Sequence, residues 1–250
     1  MARKPATTPE SEAPKDVRAA AIDALMALAA ERDWDAISLG DIAGKAGLPL
    51  SALRGAYASK GAILAAFSRG IDEAVLDGID PGMAGEPARE RLFDTLMRRI
   101  DMLAPHKEAI RNISRAFLHD PLTLAAWNRV AVTSAQWMLA AAAIDTDGPM
   151  GALRAQGLAL AWSRIVRTWL ADTDEGLART MTEIDRQLRS GERWMERADD
   201  LWQITRPFRR IAERSARRRS RFRERMRERF ADLADRDRRR ERGRDDAGAQ

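Results

Sequence analysis

The sequence predicts an all-α protein with a three-helix N-terminal unit, a second helical bundle and an Arg-rich helical tail. Ala, Leu, Arg and Glu are abundant, and runs of β-branched residues are rare. Apolar residues recur at intervals of three and four positions, which is the spacing of one helix face. Gly, Pro and Asp residues separate these periodic segments and so mark the helix ends.

The first 15 residues are predicted to be a disordered lead-in. They are rich in Pro, Thr, Ser and Glu, contain no apolar run and lack the pattern of a signal peptide. A supporting helix is expected over 16–32, where apolar residues such as Leu25 and Leu28 fall on one face. This helix opens a first domain that we expect to cover 16–76.

Residues 38–67 contain two short helical segments joined by a turn, followed by the start of a third helix. Ser38 can accept a hydrogen bond from the first turn, and Asp41 three residues later completes a capping-box pattern. Gly47 suits the left-handed residue that ends a helix, and Pro49 suits the opening of the next one. The arrangement predicts a helix-turn-helix, a motif that places its second helix in the major groove of DNA.

This segment resembles the DNA-binding domain of the TetR family of repressors over roughly residues 16–67. The matching positions are Ser38, Ile42, Ala43, Ala46, Gly47, Leu48, Leu53, Tyr57, Ser59, Lys60, Ile63 and Leu64. The resemblance implies a TetR-like fold, with a helical ligand-binding and dimerisation domain after the DNA-binding domain. The chain departs from the family pattern at Arg54, where a Tyr usually touches phosphate, at Pro49, and at several glycines.

The candidate DNA-binding residues lie in and beside the second helix of the motif. They are Ser38, Lys45, Leu50, Ser51, Arg54, Tyr57 and Lys60. We expect Ser38 and Lys60 to hold phosphates at helix starts, where backbone N–H groups and the helix dipole favour anions. Leu50, Ser51 and Arg54 are expected to face the groove. The alternative interpretation is a bundle corner that only looks like a helix-turn-helix.

A second, all-helical domain is predicted over 87–200. Its helices are expected at about 87–103, 106–118, 121–143, 149–171 and 174–196. Two of these helices supply the candidate ligand-binding residues Trp127, Trp137, Trp162 and Trp169. An aromatic set in a helical bundle can line a cavity for an apolar small molecule, or it can simply fill the core.

Residues 157–192 resemble the C-terminal domain of the coenzyme Q biosynthesis accessory family, and residues 92–111 do so more loosely. The resemblance rests on Trp162, Trp169, Asp172, Asp174, Thr180, Asp185 and Leu188. Members share the TetR fold, hold an isoprenoid lipid in an apolar pocket and assist a hydroxylase. The resemblance implies a lipid or quinone-like ligand. It also implies an alternative function, a lipid-binding accessory protein of ubiquinone biosynthesis with a vestigial helix-turn-helix.

The C-terminal tail, 206–250, carries almost all of the basic character of the chain. Residues 206–244 contain 18 Arg and seven acidic residues, whereas 1–205 is net acidic. Apolar residues between Phe208 and Leu233 fall near helical spacing, which predicts a long Arg-rich helix. Three interpretations stay open: peripheral contact with an anionic membrane, sequence-independent contact with nucleic acid, or a solvated extension.

Composition and motifs argue against an enzyme. The chain has no Cys and two His, His106 and His119, whose spacing fits no metal site. There is no Gly-rich phosphate loop or nucleophile elbow, and no apolar run long enough to span a bilayer. We therefore expect no catalysis, no metal, no cofactor and a cytoplasmic location.

Together these features predict a DNA-binding transcriptional regulator, acting as a homodimeric repressor that responds to an apolar small molecule. The expected partners are double-stranded DNA, an apolar small molecule or lipid, a second copy of the chain and, through the tail, a membrane surface.

Overall fold

The computed structural model describes residues 15–117, 121–193 and 195, and within these ranges it contains helices and no strand. The helices are α1 Lys15–Glu31, α2 Leu39–Lys45, α3 Leu50–Ala56, α4 Lys60–Asp77, α5 Ala88–Leu103, α6 Lys107–Phe117, α7 Pro121–Ala141, α8 Gly148–Ala171, and α9 at 178–193. The predicted all-α fold is confirmed. The predicted tail at 206–250 and residues 1–14 of the predicted lead-in lie outside the described residues, and Lys15, the last residue of that lead-in, begins α1.

The N-terminal unit is a small bundle of α1 to α4 around one apolar centre. Leu25 of α1, Ile42 of α2, Leu53 of α3 and Ile63 of α4 are buried there. Trp34, in a short 3₁₀ turn between α1 and α2, is also buried and closes the bundle. Each helix of the predicted motif is therefore held by an apolar face of its own.

Helix α4 belongs to both halves of the described chain. Its buried residues extend from Ile63 to Val75, and it packs against α1 as well as against α5 and α7. The described residues up to Glu192 form one compact unit. The boundary that we predict between 76 and 87 is a short connector containing the 3₁₀ turn Pro81–Gly85, and the two halves share a continuous helix.

The second bundle is built from α5 to α9. Its core side chains are Leu96, Ile100, Met138, Ile165, Trp169 and Ile184. Helix α9 begins at residue 178, later than the predicted 174, because two carboxylates cap it: Asp174 accepts from the Ala178 N–H at 3.1 Å, and Asp172 accepts from the Thr180 N–H at 2.9 Å.

Helix α6 connects the two halves through polar contacts at helix ends. The Asn112 amide donates to the carbonyl of Ala29 at the end of α1, at 3.0 Å. Lys107 donates to the Asp172 carbonyl at 2.7 Å, and Arg111 donates to the Leu170 carbonyl at the end of α8, at 2.6 Å. These donors satisfy carbonyls that a helix end leaves unpaired.

No helix in the described ranges is long and apolar enough to cross a membrane.

Candidate nucleic-acid interface

The start of α2 is a complete capping box. The Asp41 N–H donates to Ser38 Oγ at 3.1 Å, and the Ser38 N–H donates to Asp41 Oδ2 at 2.9 Å. The hydrogen bonds from Ser38 lower the pKa of the Asp41 carboxyl. The position where we expect a phosphate is therefore occupied by the Ser38 hydroxyl, which caps α2, and by the Asp41 carboxylate. This arrangement does not support Ser38 as a phosphate ligand, because its hydroxyl is occupied and the adjacent charge repels phosphate.

A left-handed glycine makes the turn between α2 and α3. Gly47 has φ of +66°, and the Leu48 N–H donates to the Ala43 carbonyl at 2.9 Å. Pro49 precedes α3 with φ of −65°, so the proline ring holds the chain in the conformation that opens the helix. Leu53 is buried on the inner side of α3. The turn and this buried leucine set the orientation of α3.

The outer face of α3 carries the predicted groove-facing residues. Leu50, Ser51 and Arg54 are all exposed, and Leu50 leaves 56% of its surface accessible. Lys45 is exposed at the end of α2, just before the turn. The structure thus brings an apolar, a hydroxyl and a guanidinium side chain onto one short helix, with an ammonium beside it.

Lys60 points into the protein. Its Nζ donates to the carbonyl of Trp34 at 2.5 Å and to that of Ile37 at 2.8 Å, and lies 4.3 Å from the centre of the Trp34 ring. Burial lowers the pKa of this ammonium. These contacts do not support the predicted phosphate contact of Lys60, which stays a prediction from sequence. The ammonium satisfies two carbonyls between α1 and α2, and the cap of α4 comes from Ser59.

Tyr57 and Arg18 form a pair that the sequence analysis missed. The Tyr57 hydroxyl donates to the Arg18 carbonyl at 3.3 Å, and the Arg18 guanidinium lies 5.8 Å from the centre of the tyrosine ring. Burial raises the pKa of Tyr57, so the phenol stays a donor. Arg18 is exposed on α1. No sequence signal marks this pair, because 39 residues separate its members.

The four predicted ligand-binding tryptophans do not share a site. Trp169 is buried in the core, with Lys107 over its ring at 5.3 Å, and Trp127 packs on Phe117 at 5.7 Å. Trp137 is 54% exposed. Trp162 borders a small cavity in the second bundle, whereas the other three rings line neither this cavity nor the groove between α1 and α6. The structure does not bring the four rings together around one pocket, and their role in ligand binding stays a prediction.

Two cavities differ in size and chemistry. The cavity beside Trp162 has a volume of about 10 Å³, which is room for one water molecule. A groove of about 430 Å³ lies between α1 and the start of α6, and none of the predicted tryptophans lines it. His106 lines this groove and contacts Phe67 edge-on at 4.9 Å. Burial lowers the pKa of His106.

A buried ion pair joins α4 to the second bundle, and the sequence analysis also missed it. Arg99 of α5 donates to the carboxylate of Asp72 in α4, and the Ser134 hydroxyl of α7 donates to Asp72 Oδ1 at 2.7 Å. The Arg99 guanidinium stacks on Trp162 of α8 at 5.2 Å. The sequence signal that could have indicated this pair is a charged residue next to a core isoleucine, in α4 and again in α5.

Among the described residues no group of three His, Cys, Asp or Glu side chains could hold a metal ion.

Comparison with protein-family models gives no match, and comparison with curated proteins gives none. Similar folds are found among solved structures. A TetR transcriptional regulator from Nitrosomonas europaea ATCC 19718 is 22% identical with a TM-score of 0.57, over 70% of this chain and 97% of that one. Another, from Rhodococcus sp. RHA1, is 16% identical with a TM-score of 0.54, over 71% and 96%.

The described structure therefore has the fold of TetR transcriptional regulators, and the TetR-like fold expected from the sequence is confirmed. These structures do not support the resemblance of residues 157–192 to the coenzyme Q accessory family, which stays a prediction from sequence.

Proposed function

We propose that this protein is a DNA-binding transcriptional regulator of the TetR type. The observation that carries the proposal is the outer face of α3, where Leu50, Ser51 and Arg54 are exposed. The buried Leu53 on the inner face fixes the helix in place. A helix-turn-helix reads DNA with such a face. The likeness in fold to TetR regulators supports this assignment, and we propose no catalytic role.

Each exposed side chain has a role that fits its chemistry. Arg54 supplies a planar guanidinium that bonds guanine edges or phosphate, Ser51 bonds either, and Leu50 contacts thymine methyl groups. Lys45 and Arg18 contact phosphates on either side of the groove, which gives affinity without sequence choice. Lys60 supports the motif from inside.

We also propose that the protein acts as a homodimer. A helix-turn-helix protein reads two half-sites about 34–36 Å apart, which requires two copies. Leu153 and Leu160 lie two helical turns apart on α8 and are exposed, as is Met181 on α9. These apolar side chains suit burial against a second copy. The predicted response to an apolar ligand belongs to the same proposal.

Fluorescence anisotropy with labelled DNA tests the proposal. The full chain is titrated with the DNA upstream of its gene and with a scrambled duplex, at several salt concentrations. We expect tighter binding to the upstream DNA. Arg54→Ala should lose about 1–3 kcal/mol and relax sequence preference, whereas Lys45→Ala should weaken both duplexes and reduce the salt slope by about one.

Arg115→Ala is the matched control, because Arg115 is an exposed arginine of α6 outside the motif. It should leave binding to both duplexes unchanged. Equal affinity for the upstream and scrambled duplexes, unaltered by Arg54→Ala, would reject the proposal.

A further inference from the structure

We propose that Arg99 is the anion-binding residue of the effector site, and that the effector is an apolar carboxylic acid that takes the place of Asp72 on the guanidinium. This inference rests on the proposed regulatory function and names the chemical class of its ligand.

The guanidinium of Arg99 has the capacity to bind a carboxylate. Arg99 is 5% exposed and Asp72 is 7% exposed, so both charges are held away from bulk water. A guanidinium has five N–H donors in a planar fork that matches a carboxylate. Among the described residues its acceptors are Asp72 and, at 3.5 Å, Ser68. Donors therefore remain for an incoming carboxylate.

The surroundings of Arg99 require the rest of the ligand to be apolar. The cavity beside the guanidinium is walled by Leu96, Ala131, Ala135, Met138, Leu158 and Trp162, and the other polar residue of its lining, Ser134, already donates to Asp72. A hydrophilic anion would lose its hydration here without replacement, and a neutral hydrocarbon would make no use of the charge. A carboxylic acid with a hydrocarbon body suits both the charge of Arg99 and the apolar wall of the cavity. Met138 is flexible enough to let the cavity enlarge.

Entry of such a ligand must move the helices. The cavity of about 10 Å³ holds one water molecule, so a ligand binds only when the packing around Arg99 changes. Asp72 lies on α4, the helix that continues from the helix-turn-helix, while Arg99 lies on α5 and Ser134 on α7. Displacing Asp72 removes the ion pair of α4 with α5 and the hydrogen bond that α4 accepts from Ser134 of α7.

Competition for one guanidinium gives the ligand a different affinity for the two arrangements. A ligand shifts a conformational equilibrium only through such a difference. In one arrangement Asp72 is paired with Arg99, so the guanidinium is occupied. In the other Asp72 has moved away, and the guanidinium is open to the acid. The acid therefore stabilises the arrangement in which α4 is free of this pair, and α4 packs against α1, which in turn packs against α3.

Isothermal titration calorimetry on the full chain, without DNA, tests the site. The probes are sodium decanoate and 3-phenylpropionate, each paired with its neutral alcohol, 1-decanol or 3-phenylpropan-1-ol. We expect each acid to bind at least tenfold more tightly than its alcohol. Asp72→Asn keeps the shape of the side chain and removes the competing charge, so it should tighten binding of the acids at least tenfold.

Arg99→Gln should abolish the preference for the acids. Because this substitution leaves Asp72 buried without its cation, the double variant Asp72→Asn with Arg99→Gln is the companion, since it restores a neutral pair. Thermal unfolding by circular dichroism checks that it folds. It should bind each acid no more tightly than the alcohol.

Equal binding of acids and alcohols by both the wild type and Asp72→Asn would overturn the inference, as would a preference for acids that survives in the double variant. In the wild type, decanoate should also lower affinity for the upstream DNA at least tenfold, and it should not do so in the double variant. If decanoate binds through Arg99 but the chain shows no sequence-specific DNA binding, the anion site stands and the regulatory proposal fails.

Discussion

Two lysines of the helix-turn-helix occupy opposite environments. Lys45 is exposed at the end of α2, whereas the Lys60 ammonium donates to two carbonyls and lies against the Trp34 ring. A hydrogen bond from a charged group to a partly buried carbonyl stabilises more than an exposed charge does. Lys60 therefore stabilises the motif from inside, whereas Lys45 is exposed where we propose a DNA contact.

Lys60→Met should lower the free energy of unfolding by about 1.5–3 kcal/mol, because the Trp34 and Ile37 carbonyls lose a charged donor. Lys45→Met should change it by no more than about 0.5 kcal/mol, as surface substitutions usually do. Urea unfolding followed by circular dichroism measures both. Equal losses in the two variants would contradict the internal role of Lys60.

Asp172 makes stability depend on pH in a predictable direction. Hydrogen bonds from Thr180, at 2.9 Å from its N–H and 2.8 Å from its hydroxyl, lower the pKa of the Asp172 carboxyl below its ordinary value. A carboxyl with a depressed pKa stabilises the fold above its ordinary pKa, and this contribution is lost as pH falls through the depressed value.

Asp172→Asn should therefore be less stable than the wild type at pH 7, and the difference should shrink as pH falls from 5 to 3. Urea midpoints at several pH values report this. Asp101→Asn, at an exposed position on α5, is the control and should show a small, constant difference. A gap that stays constant for Asp172→Asn would count against the ionised cap.

At the scale of the element, three local devices set the ends of α2 and the start of α3. Ser38 caps α2, Gly47 ends it in the left-handed conformation, and Pro49 opens α3. All three act within a few residues of chain. Such devices are readable from sequence because their physics depends on neighbours along the backbone.

Two glycine-to-alanine substitutions in this element should have opposite signs. Gly47→Ala should destabilise by about 1–2 kcal/mol, because an L side chain is strained at φ of +66° although nothing crowds the position. Gly44→Ala should stabilise by about 0.5–1 kcal/mol, since Gly44 lies inside α2 and its side chain would meet no atom. Thermal unfolding measures both, and the same sign for the pair would refute the analysis.

At the scale of the whole molecule, aromatic rings join the two halves. Trp34 contacts Phe117 edge-on at 5.7 Å, and Phe117 contacts Trp127 at 5.7 Å. Phe117 is buried at the end of α6. The N-terminal unit is thereby connected through α6 to α7, in addition to the continuous helix α4.

Phe117→Ala should cost about 3–5 kcal/mol and broaden or split the unfolding transition, because it leaves a cavity between the halves. Phe117→Leu preserves most of the volume and should cost less. Differential scanning calorimetry distinguishes the two. A single, unshifted transition in the alanine variant would show that this contact does not couple the halves.

Self-association is the second property of the whole molecule that can be tested. Leu160→Glu places a charge on the exposed apolar face of α8 and should convert the proposed dimer to a monomer, because burying an unpaired charge is costly. Ile79→Glu, at an exposed position outside α8 and α9, should leave association unchanged. Sedimentation velocity measures both. A wild type that is monomeric at all concentrations would reject the dimer.

The sequence alone determined the helices, the helix-turn-helix and the outward face of α3, because each depends on residues within one or two helical turns. The tertiary structure alone decided the direction of Lys60, whose acceptors lie 26 and 23 residues away, and the pairing of Asp72 with Arg99 across 27 residues. It also decided the separation of the four tryptophans. Helical spacing says which residues share a face, but the packing of one helix on another decides whether that face meets solvent, core or charge.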